Sequence, residues 1–485
     1  MVRSSHFSRL KTAQALRQQQ KGSEGDIQNF DLHIESLNEH GQGCAQGPAK
    51  EMLTVPFALP GERCSAKGRL NEPLQLLKLH EVSDQRQQAP CPEYGECGGC
   101  QLQHMRYAEQ VRFKRERLWQ GLSKLINPEP KAKPKSKPKP KLGRKPSQNK
   151  ANHPAFNSDV RSAEAISILD SSELAYRRRA RLGISEQGRL GFRKAASNDT
   201  MSIELCPILT PPLQAMMRVL NQALATFPKV DWRSHLGHVE LLDVEPAPLA
   251  LLRVVKTIPQ GAFEHLKTVV AEHGWRLAIQ SQKDADIEAV LGELDSFYSI
   301  GRHTLAFEPG RFIQVNAGLN EAMLKQALQW LQLQSDERVL DLFCGVGNFT
   351  LPLAEQAQQV LGIELSEDMV STAQDNARRL GVDNVEFMAA NLDVGDALLS
   401  NDERLTESRP DVVLLDPPRA GAGGFIPTLL ELSPERILYI SCHQGSLLRD
   451  LRRLGQASYR LEKLSLMDMF PNTEHVECMA LLRKG

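Results

Sequence analysis

The stretch "RVLDLFCGVGNFTLPLAE" (338–355) reads as an apolar strand, a tight loop with two glycines, and the start of a helix. Gly345 and Gly347 follow the strand directly, where a missing side chain lets the backbone approach a ligand closely. A dinucleotide fold calls for a third glycine three residues further on. Thr350 stands there instead, and no phosphate-binding lysine follows. The next strand ends in Glu364, nineteen residues beyond Gly345 and placed to accept hydrogen bonds from ribose hydroxyls. A helix begins near Glu367, and "VEFMAANL", "DVVLLDPPRAG" and "RILYISCHQGS" supply three more strand ends. Strands alternating with helices predict an α/β, Rossmann-like parallel sheet covered on both faces. Such sheets bind ligands at the carboxyl ends of their strands. With Glu364, Asn391 and Asp416 at three successive ends, the pattern suits S-adenosylmethionine better than a nicotinamide dinucleotide.

Moving towards the N-terminus, "NEAMLKQALQWLQL" (320–333) predicts a helix leading into this sheet, and residues 165–310 mix strands with helices. "HVELLDVEPAPLALLRVVKT" (238–257) predicts a hairpin, and "YAEQVRFKRERLWQGLSKLI" (107–126) has helical periodicity. Residues 26–82 alternate apolar and polar positions in short runs broken by Gly and Pro, the pattern of a small β-barrel. "KAKPKSKPKPKLGRKPSQNK" (131–150) cannot form a core and reads as an extended spacer that could also attract a polyanion. "YRRRARLG" (176–183) and "RLGFRK" (189–194) instead interleave cations with Tyr176 and Phe192, which suits a surface meeting phosphates and bases.

The 485 residues should divide into two to four domains, and a hydrophobic content of 41% is enough to bury their cores. No run of eighteen apolar residues exists, so no membrane span is expected. The N-terminus is basic and lacks the apolar centre of a secretory signal; it reads as a basic arm, with a faint likeness to a transit peptide. Nine cysteines, an odd number in clustered spacing, argue against a disulfide framework and for a reducing cytoplasm.

Cys442 falls at a strand end on the ligand edge, and Glu477 in a separate late strand. A thiolate, a carboxylate and a sulfonium methyl donor fit one problem: methylating carbon 5 of a pyrimidine. Thiolate attack at carbon 6 makes carbon 5 nucleophilic, and a base must afterwards remove the carbon-5 proton so that the cysteine is eliminated. "FIQVN" (312–316), "LDLFCGVGNFT", "LLDPPRAG" (414–421), "ISC" (440–442) and "FPNTEHVE" (470–477) together closely resemble the RNA uracil-carbon-5 methyltransferases. The resemblance covers most of the chain and lies nearest the branch acting on 23S ribosomal RNA. It implies that Gln314, Phe343, Asn348, Glu364, Asn391 and Asp416 contact S-adenosylmethionine, that Cys442 is the nucleophile and that Glu477 is the base. The family's nucleophile is often followed by Asn-Pro, whereas His443 and Gln444 follow here, which puts the local loop shape in question. His475 is expected to orient; Cys344, Cys478, Cys44 and Cys64 are expected to be structural.

"CPEYGECGGC" (91–100) places three cysteines within ten positions, a clustering that usually holds a metal centre with four ligands. The spacing differs from that of radical S-adenosylmethionine enzymes, and four thiolates suit either zinc or iron. The resemblance favours a [4Fe-4S] cluster on Cys91, Cys97, Cys100 and a distant Cys206, structural in role. Residues 1–25, the basic arm, lie outside the resemblance, which further implies a TRAM-like RNA-binding barrel (26–86) and a central α+β iron–sulfur and RNA-contacting domain (87–310). That central domain carries the lysine/proline-rich insert near 128–155, and a methyltransferase domain (311–485) completes the chain. The expected protein is a monomer acting on 23S ribosomal RNA. Alternatives are a transfer RNA uracil methyltransferase, whose branch generally lacks barrel and cluster, and a radical iron–sulfur RNA-modifying enzyme.

Overall fold

A computed structural model describes residues 27–128, 156–281, 285–392, 403–406 and 409–485. The expected basic arm and residues 129–155 of the insert lie outside the described residues. Two compact units meet between Gln87 and Gln88.

In the first unit, β1 (Gln28–His33), β5 (Arg63–Gly68) and β6 (Gln75–Glu81) form one antiparallel sheet. A second comprises β2 (Ser36–Leu37), β3 (Gly43–Gln46) and β4 (Met52–Val55). Phe30, Leu32, Ile34, Leu53, Val55, Cys64 and Ala66 share one buried core, so the alternation seen in sequence is a half-buried sheet face. Glu62, fully buried, is neutralised by a bidentate pair with Arg86 at 2.6 and 2.8 Å.

The second unit contains two larger sheets. An eight-stranded sheet has the order β19 (Val385–Ala389), β18 (Gln359–Glu364), β17 (Arg338–Leu342), β20 (Val412–Leu415), β21 (Arg436–Ser441), β23 (Glu477–Lys484), β22 (Tyr459–Met467), β7 (Ser167–Leu169). The pairs among β19, β18, β17, β20 and β21 are parallel; β23 runs antiparallel to both neighbours. Period-2 alternation fills both faces. Val412, Leu414, Leu438 and Ile440 enter one apolar layer with helix α4 (Ala317–Leu331) and helix α6 (Glu367–Leu380). Val413, Leu415, Ile437 and Tyr439 enter the other with helix α1 (Tyr107–Ile126) and helix α8 (Gln444–Gln456). Ser366 caps α6, accepting from the Met369 N–H, and Gly381 ends it in the left-handed region.

The other sheet has the order β10 (Thr200–Ser202), β9 (Leu190–Arg193), β8 (Arg179–Ile184), β11 (Leu236–Leu242), β12 (Leu249–Val254), β13 (Arg276–Gln280), β14 (Glu288–Leu291). β11 and β12 are the expected hairpin, and α1 spans the expected residues. Sequence periodicity did not show where α1 goes. It follows the cysteine-rich segment in the chain, yet it covers the face of the eight-stranded sheet. Among the described residues no helix is long and apolar enough to cross a membrane.

Candidate active site

The strand ladder itself brings the two reactive groups together. β21 and β23 pair Ser441 with Cys478. Continuing that register by one residue sets Cys442 across from Glu477, the first residue of β23. Burial, then the charges of Glu477 and Asp416, push the Cys442 thiol up to about 11, while Arg419 pulls it down. Burial, then Asp416, pushes Glu477 up to about 8. Asp416 follows the last residue of β20, and burial takes it to about 7. In the ligand-free protein Cys442 and Glu477 therefore hold their protons at neutral pH, and Asp416 is near its midpoint.

Next to them lies the glycine loop. Phe343, Gly345 and Gly347 all have positive φ, at 64°, 60° and 95°. Such a backbone is costly for Phe343, and it turns the loop sharply back over the strand end. The Glu364 carboxylate accepts from the N–H of Gly345 and of Ser366, both at 3.2 Å, and keeps free lone pairs towards the edge. Ala390 N–H donates to the Glu364 carbonyl at 2.9 Å, which sets Asn391 beyond the neighbouring strand end. Gln314 is buried, and its carbonyl accepts from Arg178 Nε at 2.8 Å. The amide of Asn348 is engaged in a reciprocal pair with Asn320 at 3.0 and 3.1 Å and also accepts from Tyr298.

Comparisons with known proteins fit this edge. The family model described as tRNA (Uracil-5-)-methyltransferase matches residues 155–485. Curated proteins named 23S rRNA (uracil(1939)-C(5))-methyltransferase RlmD are similar over nearly full length. That of Shewanella sediminis is 36% identical, covering 93% of this chain and 95% of its own. That of Vibrio parahaemolyticus is 34% identical, covering 94% and 96%. The chain belongs to the RNA (uracil-5-)-methyltransferase family. A solved structure, the Pyrococcus abyssi tRNA (uracil-54, C5)-methyltransferase in complex with S-adenosyl-L-homocysteine, shares the fold. Its TM-score is 0.67 at 21% identity, covering 93% of this chain and 99% of that one. Because a transfer RNA enzyme aligns over nearly all of this chain, overall architecture does not separate the two branches of the family.

Asp341 was not singled out from the sequence. It is buried near the end of β17, accepts from Thr350 Oγ1 at 2.6 Å, and is raised to about 7 by burial, with Asp416 and Glu364 adding to the rise. An acid inside an otherwise apolar strand was the available signal. Asp341, Glu364, Asp416 and Glu477 thus make an acidic edge suited to a cation. His443 caps α8, accepting from the Ser446 N–H at 3.2 Å, so the departure from Asn-Pro still closes the loop on a helix N-terminus. Cys344, Cys478, Cys44 and Cys64 are buried.

The cysteine-rich segment docks on the β9 hairpin. Gly98 N–H donates to the Arg193 carbonyl at 2.9 Å, and a Cβ at Gly98 would lie 3.2 Å from the Lys194 oxygen. Cys97 and Cys100 pack against the apolar cluster that contains Cys206. In each pairing among Cys91, Cys97, Cys100 and Cys206 the charge of one thiol raises the pKa of the other, which puts the four in one region. Burial is the larger cause in each, taking Cys100 to about 11 and Cys206 to about 12. No three His, Cys, Asp or Glu side chains among the described residues stand close enough to share one ion.

The segment also reaches the catalytic edge. Gln101 and Leu102 N–H both donate to the Asn472 carbonyl, at 3.0 and 2.9 Å. Asn472 is buried at φ 68°, and Gln110 of α1 both donates to its side-chain oxygen and accepts from its N–H. Two residues just before Asn472 are fixed as well. Lys114 Nζ donates to Asp468 at 2.7 Å in a fully buried pair, and the Tyr176 hydroxyl donates to the Pro471 carbonyl. The loop leading into Glu477 is thereby held by segments far away in sequence.

Proposed function

We propose that this chain methylates carbon 5 of a uridine in 23S ribosomal RNA. One observation carries the chemistry: a thiol and a carboxyl face each other across two strand ends on an acidic sheet edge. S-adenosylmethionine, when bound, supplies the methyl group and a sulfonium charge that lowers the pKa of Cys442, Asp416 and Glu477 together. Gln314, Phe343, Glu364, Asn391 and Asp416 line its site. Asn348 contacts it through the main chain, since its amide is spent on Asn320. Cys442 Sγ adds to carbon 6 of the uracil, and carbon 5 takes the methyl group while keeping its hydrogen. Glu477 then removes that proton, the ring double bond re-forms, and the carbon–sulfur bond breaks. The ribosomal RNA branch rests on the relatives named above, and the first unit is read as the TRAM-like RNA-binding barrel. The test is to map 5-methyluridine in ribosomal and transfer RNA from cells lacking the protein. Loss at one 23S position, restored by the gene but not by Cys442→Ala, is expected; loss in transfer RNA alone would move the substrate to the other branch.

Cys91, Cys97, Cys100 and Cys206 are read as ligands of a [4Fe-4S] cluster. Four neighbouring thiols that share no single-ion site suit it, because each sulfur binds its own iron and the ligands stand further apart than around one metal ion. With four thiolates the cluster is closed, and its role is structural. Anaerobic purification should give about four irons per chain with a brown absorbance; stoichiometric zinc without iron would overturn this assignment.

A further inference from the structure

We propose that Arg117 is a positioning residue that references the loop of Cys442 and the loop of Glu477 to one point on α1. The proposal rests on the reading of those two residues as nucleophile and base. The guanidinium of Arg117 donates to the Glu474 carbonyl at 2.6 Å, three residues before Glu477. Its own carbonyl accepts from the side-chain amide of Gln444 at 2.8 Å, two residues after Cys442. Sheet hydrogen bonding ends at the Ser441–Cys478 pair, so beyond it neither loop is aligned by the other. One helical residue spans the gap.

An independent feature points the same way. Gly121 sits one turn further along α1, and a Cβ there would lie 2.5 Å from Gln444 Nε2 and 2.5 Å from Leu448 Cδ1. A glycine inside a helix is less favourable than alanine, and here the space it leaves is what admits the Gln444 amide. The Phe113 ring, 5.5 Å from the guanidinium carbon, helps orient Arg117. Burial and the charge of Glu477 push the Cys478 thiol up, and the positive charge of Arg117 reaches the same strand and opposes that rise.

The two arms can be cut separately. Arg117→Met keeps the carbonyl and removes the guanidinium's contact to the Glu477 loop; Gln444→Leu removes the amide's contact to α1 from the Cys442 loop. Gly121→Ala improves helix propensity yet crowds Gln444, so it should reproduce Gln444→Leu without touching either partner. The readouts are adduct formation with RNA carrying 5-fluorouridine, release of methylated RNA in single turnover, RNA affinity, and thermal midpoint. Gln444→Leu and Gly121→Ala should slow adduct formation by about 10- to 100-fold, as a displacement of about an ångström does. Arg117→Met should form the adduct at the wild-type rate and slow release by a similar factor, with Arg117→Lys partly restoring it. RNA affinity should be unchanged. Adduct formation and release at wild-type rates in all folded variants, or losses that merely follow the thermal midpoint, would overturn the proposal. If the wild-type protein forms no adduct, the reading of Cys442 falls first.

Discussion

Glu477 is the base in the proposed mechanism, and its environment gives a signed pH dependence. Folded, it holds its proton up to about pH 8; in the unfolded chain it ionises near 4.5. Between those values the unfolded state alone gains the favourable charge, so the ligand-free protein loses stability as pH rises from about 5 to 8. Glu477→Gln removes this dependence. Its thermal midpoint should exceed that of the wild-type protein at pH 8 and match it at pH 4, as calorimetry would show; an equal difference at both would place the cause elsewhere. In turnover the same substitution should slow release and accumulate the methylated adduct. Cys442, Glu477 and the acids at strand ends were all visible in the sequence, because strand ends are marked by the switch from apolar run to polar residue. Asp341 was passed over because it sits within the apolar run, and the Asn348 pairing with Asn320 was hidden because it joins a loop to a helix.

Helix α1 ties the cysteine-rich segment to the catalytic strands. The buried pair Lys114–Asp468 fixes its middle against the chain just before the Glu477 loop. Removing one partner leaves an uncompensated charge in the interior, so Lys114→Met should destabilise the fold by about 3–5 kcal/mol. Burial pulls the Lys114 pKa down and Asp468 pulls it back up, the opposition expected of such a pair. Replacing both, as Lys114→Met with Asp468→Leu, should recover most of that loss in denaturant unfolding. A double variant as unstable as the sum of the singles would show that the pair does not act as a unit. The periodicity of α1 was plain in the sequence, and its Leu118, Leu122 stripe announced a buried face. What that face would meet was not, since its partners Leu447 and Leu451 lie more than three hundred residues away.

Across the second unit, one chain of contacts runs from the four thiols through Gln101 and Leu102 to Asn472 and on to Glu477. On the proposed cluster assignment, Cys206→Ser should lower iron content and thermal midpoint together while leaving the strand register intact. Unchanged midpoint with lost iron would sever the cluster from the fold. The parallel order of β19, β18, β17, β20 and β21 followed from alternating strands and helices, but the antiparallel β23 and the addition of β7 at the sheet edge did not, since a three-residue strand such as β7 leaves no periodic signal. Of the basic runs at 176–183 and 189–194, Arg181, Arg193 and Lys194 are exposed, whereas two cations of the first run serve the fold. Arg178 is buried over the Tyr298 ring, and Arg179 pairs with Glu240.

Mass spectrometry of the protein after reaction with S-adenosylmethionine and a 23S RNA fragment carrying 5-fluorouridine tests the mechanism most directly. Fluorine at carbon 5 cannot leave as a proton, so the protein should accumulate with one RNA strand and one methyl group attached, the bond mapping to Cys442. Methyl transfer to normal RNA by Cys442→Ala, or an adduct mapping to any other residue, would contradict it.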